Sequence, residues 1–248
     1  VLGTIAAGDI TGCWNPDDSL LCFMYYNTGD TKLYLVQYPV ANSTLGTAST
    51  ALEIHSGAVF GGSLNIEYDK NDNKYIVTFS VSGGGTDRNL MCGVYYNNSG
   101  TPAETIAPTQ VSGDVHSGYA QLKWADGAAG KDDVGLIVYQ DNDDSQYIKA
   151  VAVTHNNSDT ITYTGTPVEI FGGDNAYDVA DRKSGPSISF DTTAPPAAGG
   201  FATGDDVFVV GLPGADGDGD IYPWVVPVAV DSSDCSIVAG TVETPFTV

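Results

Sequence analysis

The sequence predicts an all-β fold, a β-propeller of four, or else five, four-stranded antiparallel blades, and three observations carry that prediction. Thirty glycines in 248 residues, about 12% against a usual ~7%, punctuate short segments rich in β-branched and aromatic residues. Three strand-like segments recur in the same order four times, and the first of each set ends in an aromatic followed by Asn or Asp. No stretch of helical length carries an apolar 3.6-residue stripe with capping signals.

The first segments are Thr11-Gly-Cys-Trp14-Asn15, Asn65-Ile-Glu-Tyr68-Asp69, Gln121-Leu-Lys-Trp124-Ala-Asp126 and Ser187-Ile-Ser-Phe190-Asp191. Their aromatics stand 54, 56 and 66 residues apart, spacings suited to one four-stranded unit each. Turn chemistry follows at Asn15-Pro-Asp-Asp-Ser19, Asp69-Lys-Asn-Asp-Asn73 and Asp126-Gly-Ala-Ala-Gly130. The second segments are apolar runs, Leu20 to Tyr26, Tyr75 to Val81, Val134 to Tyr139 and Val207 to Leu212. Gly-, Asn- and Asp-rich turns lead to the third, Leu33 to Tyr38, Leu90 to Tyr96, Tyr147 to Val153 and Ile221 to Val230. A weaker fourth strand closes each unit at Ala51 to Ile54, Thr105 to Val111, Thr166 to Ile170 and Thr244 to Val248.

A four-stranded sheet that is apolar on both faces must pack between two neighbours, and a ring of such sheets satisfies every copy. A β-sandwich also has short strands and frequent turns, and it is the alternative. The expected organisation is one domain over 1–248 with units at 6–58, 59–110, 111–170 and 171–248. Residues 1–5 form an extra strand. It adds to an edge, completes a sheet on another subunit, or belongs to a longer protein. Val1 follows no initiator Met and no basic-then-apolar leader, which predicts a processed or trimmed terminus.

Charge narrows the functional classes. Nine basic against 31 acidic residues give a formal net charge of −22. Such a surface repels phosphate and anionic lipid, which argues against nucleic-acid and membrane-surface binding. No apolar run approaches the ~20 residues of a membrane-spanning helix.

The segment Leu64-Asn-Ile-Glu-Tyr-Asp-Lys-Asn-Asp-Asn-Lys-Tyr-Ile-Val-Thr-Phe79 joins a strand, an aromatic, an Asp/Asn turn and a β-branched strand. It resembles the tandem propeller-like repeats in tail-fibre and other virion proteins of tailed bacteriophages. The resemblance extends in outline over all four units, with departures at 113–119, 174–186 and 192–204. It implies a non-enzymatic structural or adhesive role at a virion surface or tail fibre, and it carries over no catalytic residue.

Other constellations add candidate sites. Asp216-Gly-Asp218-Gly-Asp220 alternates three carboxylates in a glycine-rich loop, the oxygen-rich and flexible shell that calcium prefers. The distal Glu of an EF-hand is absent, since Pro227 holds its place; a solvated hairpin loop is the plainer reading. Asp141, Asp143 and Asp144 are a weaker version, as are Asp69, Asn71 and Asn73. The insertion from Asp174 to Pro186 holds Arg182-Lys183, and Tyr177, Asp178, Asp181 and Arg182 suit a sugar by stacking and polar contact. Gly8-Asp9, Gly113-Asp114 and Gly173-Asp174 mark unit junctions and read as turns. His55, His116 and His155 are scattered without a nucleophile motif.

Cys13 and Cys22 fall opposite one another across the first turn, with or without a disulfide; Cys92 and Cys235 read as buried thiols. Asn42, Asn97 and Asn156 open glycosylation sequons, relevant only in a glycosylating source. The expected partners are other virion or filament subunits and a cell-surface glycan, in an oligomer at a virion surface or outside the cell. The alternatives are a secreted carbohydrate-binding propeller, an extracellular filament subunit and a propeller glycosidase with convergent carboxylates.

Overall fold

The computed structural model describes residues 7–60, 63–84, 87–112, 120–125, 134–141, 147–156, 160–163, 166–171, 186–191, 201, 205–215, 221–231 and 233–241. These residues form strands and no helix, in four antiparallel sheets that follow one another along the chain.

Sheet 1 contains β1 (Ala7–Asn15), β2 (Leu20–Asn27), β3 (Lys32–Ala41), β4 (Thr44–Leu45) and β5 (Leu52–Ser56). Sheet 2 contains β6 (Asn65–Asp69), β7 (Lys74–Gly84), β8 (Asp87–Asn98) and β9 (Thr101–Ser112). Sheet 3 contains β10 (Gln121–Trp124), β11 (Val134–Gln140), β12 (Ile148–Asn156), β13 (Thr160–Tyr163) and β14 (Val168–Phe171). Sheet 4 contains β15 (Ser187–Asp191), β16 (Asp206–Ala215), β17 (Ile221–Asp231) and β18 (Ser236–Ala239). All the first, second and third strands read from the sequence are present, and so are the fourth strands of units one to three. Thr244 to Val248 and residues 1–5 lie outside the described residues.

The sequence reading missed a hairpin in units one, three and four. In sheet 1, β3 first turns into β4 through Asn42 and Ser43, both in the left-handed region (φ 50° and 61°) that a two-residue primed turn requires. The chain then returns, and β5 pairs with the other half of β3. Sheet 3 repeats this division, with β13 and β14 sharing β12. Sheet 2 merges the two pieces into one strand, β9, whose register against β8 slips three times.

Each sheet meets the next through its own core. Cys22, Met24, Leu33 and Leu35 of sheet 1 pack with Val77 and Phe79 of sheet 2. Leu90, Cys92 and Val94 of sheet 2 pack with Trp124, Ile137 and Val151 of sheet 3. Leu136, Val138 and Ala150 of sheet 3 pack with Phe208, Val226 and Val228 of sheet 4. Strand β11 shows why the second strands are continuously apolar. All seven of its residues are buried; Leu136 and Val138 face sheet 4, while Ile137 and Tyr139 face sheet 2.

The first strands β1, β6, β10 and β15 lie against one another in that order, and no comparable contact joins β15 to β1 among the described residues. Each repeat aromatic points at the preceding sheet. Tyr68 packs against the core shared with sheet 1, Trp124 into the core shared with sheet 2, and Phe190 against the core shared with sheet 3. Trp14 stands opposite Leu21, on the face of sheet 1 turned away from sheet 2, and is 44% exposed where Trp124 is 2% exposed. That outer face carries a smaller apolar cluster of its own, with Tyr25, Val36 and Tyr38 buried in it.

Candidate functional site

The polar residues of the repeated motif converge on the seams between sheets. In the first turn, the Asn15 side-chain oxygen accepts from the backbone N–H groups of Asp17 and Asp18, both at 3.0 Å. This holds a four-residue loop that ends at Ser19 with φ 53°. Asp69 plays the same part in the second turn, accepting from the Asn71 N–H at 3.0 Å, and that loop ends at Asn73 with φ 54°. The sequence reading of turn formation is correct here. It omitted the second task of the same side chains.

That task is to bind the next sheet. The Asn15 amide, fully buried, donates to the Tyr75 hydroxyl at 2.9 Å and to Asn73 Oδ1 at 3.0 Å, both in sheet 2 or its turn. Asp18 Oδ2 accepts from Asn97 at 2.9 Å and from Asn73 at 3.2 Å. The Tyr68 hydroxyl donates to Asp17 at 2.6 Å. Burial, and then that hydrogen bond to Asp17, push the Tyr68 pKa well above the ordinary tyrosine range.

The seam between sheets 2 and 3 uses equivalent positions and different chemistry. His155 stands one residue before the end of β12, as Asn97 does in β8. Its Nε2 lies 2.8 Å from Asp69 Oδ2, and its Nδ1 lies 3.8 Å from Asp72 Oδ2. The His155 and Asp69 side chains are each 1% exposed, and Asp72 is 18% exposed. Trp124 stacks on the imidazole at 5.4 Å between centroids and 22° between planes. Nearer the first strands, the Asn65 amide donates to the Ala120 carbonyl at 2.8 Å, and Lys123 pairs with Glu67 at 2.8 Å.

Asp69, Asp72 and His155 place one ligand atom each within 4.8 Å of one another, and they are the residues with the geometry to hold a metal among those described. Sequence reasoning did not find this group. His155 is 86 residues from Asp69, and only the packing of sheet 3 on sheet 2 joins them. The signal that existed was the aromatic-Asx motif itself, which repeated more strictly than a turn alone requires. A polar cleft of about 530 Å³, lined by Asp72, Lys74, Tyr96, Asn97, Glu104 and Thr105, opens beside the group.

The other sequence-derived sites stand as follows. Tyr177, Asp178, Asp181 and Arg182 lie outside the described residues, and so do Asp216, Asp218 and Asp220. Asp141 is buried and pairs with Lys149 at 2.7 Å. Asp9 is half-buried and accepts from the Ile10 N–H at 3.0 Å, while Ser63, at the corresponding junction of unit two, is buried and donates to the Phe60 carbonyl. Cys13 and Cys22 are directly opposed in register as thiols. Burial raises the pKa of each far above the ordinary cysteine value, with Glu67 adding to Cys13. His116 lies outside the described residues.

No protein-family model matches the chain, and no curated protein matches it.

Proposed function

We propose that the chain is a non-enzymatic structural or adhesive module of a virion surface or tail fibre, built as a propeller ring of sheets. The observation that carries this reading is the use to which the motif is put. The polar atoms of Asn15, Asp18 and Asp69 are spent on turns and on the neighbouring sheet. Such seams favour rigidity, which a fibre or capsid component needs. The direction of the repeat aromatics supports the ring. Each faces the preceding sheet, so closure brings sheet 4, as the predecessor of sheet 1, against the Trp14 face. The proposed partners are further virion or filament subunits, and the proposed setting is a particle surface or the extracellular medium, which the net charge of −22 suits by keeping assemblies soluble.

The test is light scattering of the purified chain with calcium and with EGTA, joined to negative-stain imaging. Assembly that ignores calcium and is lost on deleting residues 1–5 is the expected result. A monomer that hydrolyses glycosides overturns the reading. For the ring, hydroxyl-radical footprinting decides: Trp14 reacts slowly when sheet 4 covers it and at the rate of an exposed tryptophan when it does not.

A second reading, a secreted carbohydrate-binding propeller, is favoured by one observation. The cleft beside Asp72 presents the half-exposed Tyr96 ring with Asn97 and Glu104, a stacking surface flanked by polar groups. A glycan array with wild type and Tyr96→Ala separates the two readings.

A further inference from the structure

We propose that His155, Asp72 and Asp69 form a binding site for a divalent first-row transition-metal ion of the zinc class. His155 Nδ1 and an Asp72 oxygen are the ligands, and Asp69 is the residue that positions the imidazole. The inference is independent of the structural or adhesive reading.

Asp69 Oδ2, 2.8 Å from His155 Nε2, is a carboxylate oxygen and accepts, so Nε2 carries the hydrogen. In the neutral imidazole the lone pair then resides on Nδ1. That atom is buried with no hydrogen-bond partner, and it is aimed at Asp72 Oδ2 across 3.8 Å. The gap is too long for a hydrogen bond, and a buried lone pair facing a carboxylate oxygen at the edge of the cleft makes a place for a cation between them. A metal–nitrogen distance of about 2.0–2.1 Å and a metal–oxygen distance of about 2.0–2.2 Å span it at an angle of roughly 130°.

The surroundings are those of a metal-binding histidine. A carboxylate on the remote ring nitrogen fixes the tautomer and raises the basicity of the ligating one. Asp69 is itself held by the Asn71 N–H, and Trp124 stacked on the ring fixes its plane. Asp72 lines the 530 Å³ cleft, which provides an entry path and room for water to complete the shell. Imidazole as a ligand selects zinc, copper, nickel or cobalt over calcium and magnesium, whose shells are built from oxygen. The site therefore differs in kind from the calcium loop expected at Asp216, Asp218 and Asp220.

The test uses the full chain without a histidine tag, stripped with EDTA and titrated with zinc by calorimetry and with cobalt by visible absorption. Expected are one ion per chain, a d–d spectrum of low-symmetry cobalt, and a Tm that rises with zinc and not with calcium or magnesium. Asp72→Asn and His155→Gln each abolish binding. Asp69→Asn keeps the cobalt spectrum and weakens affinity by about 10–100-fold. Asp72 sits in a partly exposed turn, so its variant folds and decides the matter even where His155→Gln does not. The proposal is overturned if wild type binds no stoichiometric zinc, if Asp72→Asn leaves binding intact, or if calcium raises Tm as zinc does.

Discussion

Replacing Asn15 by Asp separates a turn residue from a bolt between sheets. Asn and Asp serve equally as the side chain that caps such a turn, because only the oxygen facing the Asp17 and Asp18 N–H groups is used. The other half of the amide is the difference. As Asn it donates to the Tyr75 hydroxyl at 2.9 Å and to Asn73 Oδ1 at 3.0 Å; as Asp it presents a charged acceptor to an acceptor, beside Asp18. Tyr75 can rotate its hydroxyl to donate, which recovers one bond, but Asn73 Oδ1 then faces a carboxylate oxygen, and turning its amide to donate gives up its bonds with Tyr68 and Asp18. A buried polar group left without its partner costs about 1–3 kcal/mol, and the position is fully buried, so Asn15→Asp is expected to cost about 2 kcal/mol. At about 2–4 °C per kcal/mol for a chain of this size, Tm falls by about 4–8 °C. Asn15→Ala loses the cap as well and falls further. The assay is thermal and urea unfolding by circular dichroism, with the urea slope checked for constancy. If Asn15→Asp melts within about 1 °C of wild type while Asn15→Ala does not, Asn15 caps its turn and nothing more, and the seam argument fails.

Other outcomes follow from the same geometry. A Cβ on Gly135 would lie 2.5 Å from Trp124 Cε3, so Gly135→Ala overpacks the ring that supports His155; a loss of about 1–3 kcal/mol is expected in urea unfolding, together with a changed near-UV tryptophan spectrum. Burial raises every thiol, Cys92 up to about 12 and Cys235 up to about 11, so the folded chain should resist alkylation near neutral pH and react fully in urea, as mass spectrometry will show. Burial lowers the His55 pKa, partly offset by Glu53. The folded state therefore favours neutral His55, and the stability it contributes is present above the unfolded value near ~6.5 and declines as pH falls below it, a slope that His55→Gln should flatten in Tm measured against pH. Lys149→Met removes an ion pair from Asp141, which is 9% exposed at its side chain, and should lower Tm; Lys32→Met breaks an exposed pair with Glu53 and should leave Tm unchanged.

The parts of the fold that were legible in sequence are those governed by neighbours in the chain. Alternation along Thr11 to Trp14, the apolar run of β11 and the Asx turns after Trp14 and Tyr68 each state their local structure. The pairing of Cys13 with Cys22 across that turn follows from loop length alone. The short hairpins were harder. Strand β4 is two residues long, and Asn42-Ser43 reads as a sequon as readily as a primed turn. The seam was hidden for a different reason. Nothing within the segments of Asp69 or His155 marks the other as a partner, and their meeting depends on which face each strand presents once sheet 3 has packed on sheet 2. Burial was equally hidden: Trp14 and Trp124 hold the same place in the repeat, yet Trp124 is buried in the core between sheets 2 and 3 while Trp14 stands exposed on the outer face of sheet 1.

A turn in one sheet is bonded to the third strand of the next, and a double-mutant cycle between Asp69 and His155 tests that bond most directly. Asp69→Asn, His155→Gln and the double variant are unfolded in urea with EDTA present, so that no metal contributes. A hydrogen bond to a charged group in a buried seam predicts a coupling of about 1.5–3 kcal/mol. Single-variant losses that add to within about 0.3 kcal/mol would mean that the two side chains do not hold the sheets together.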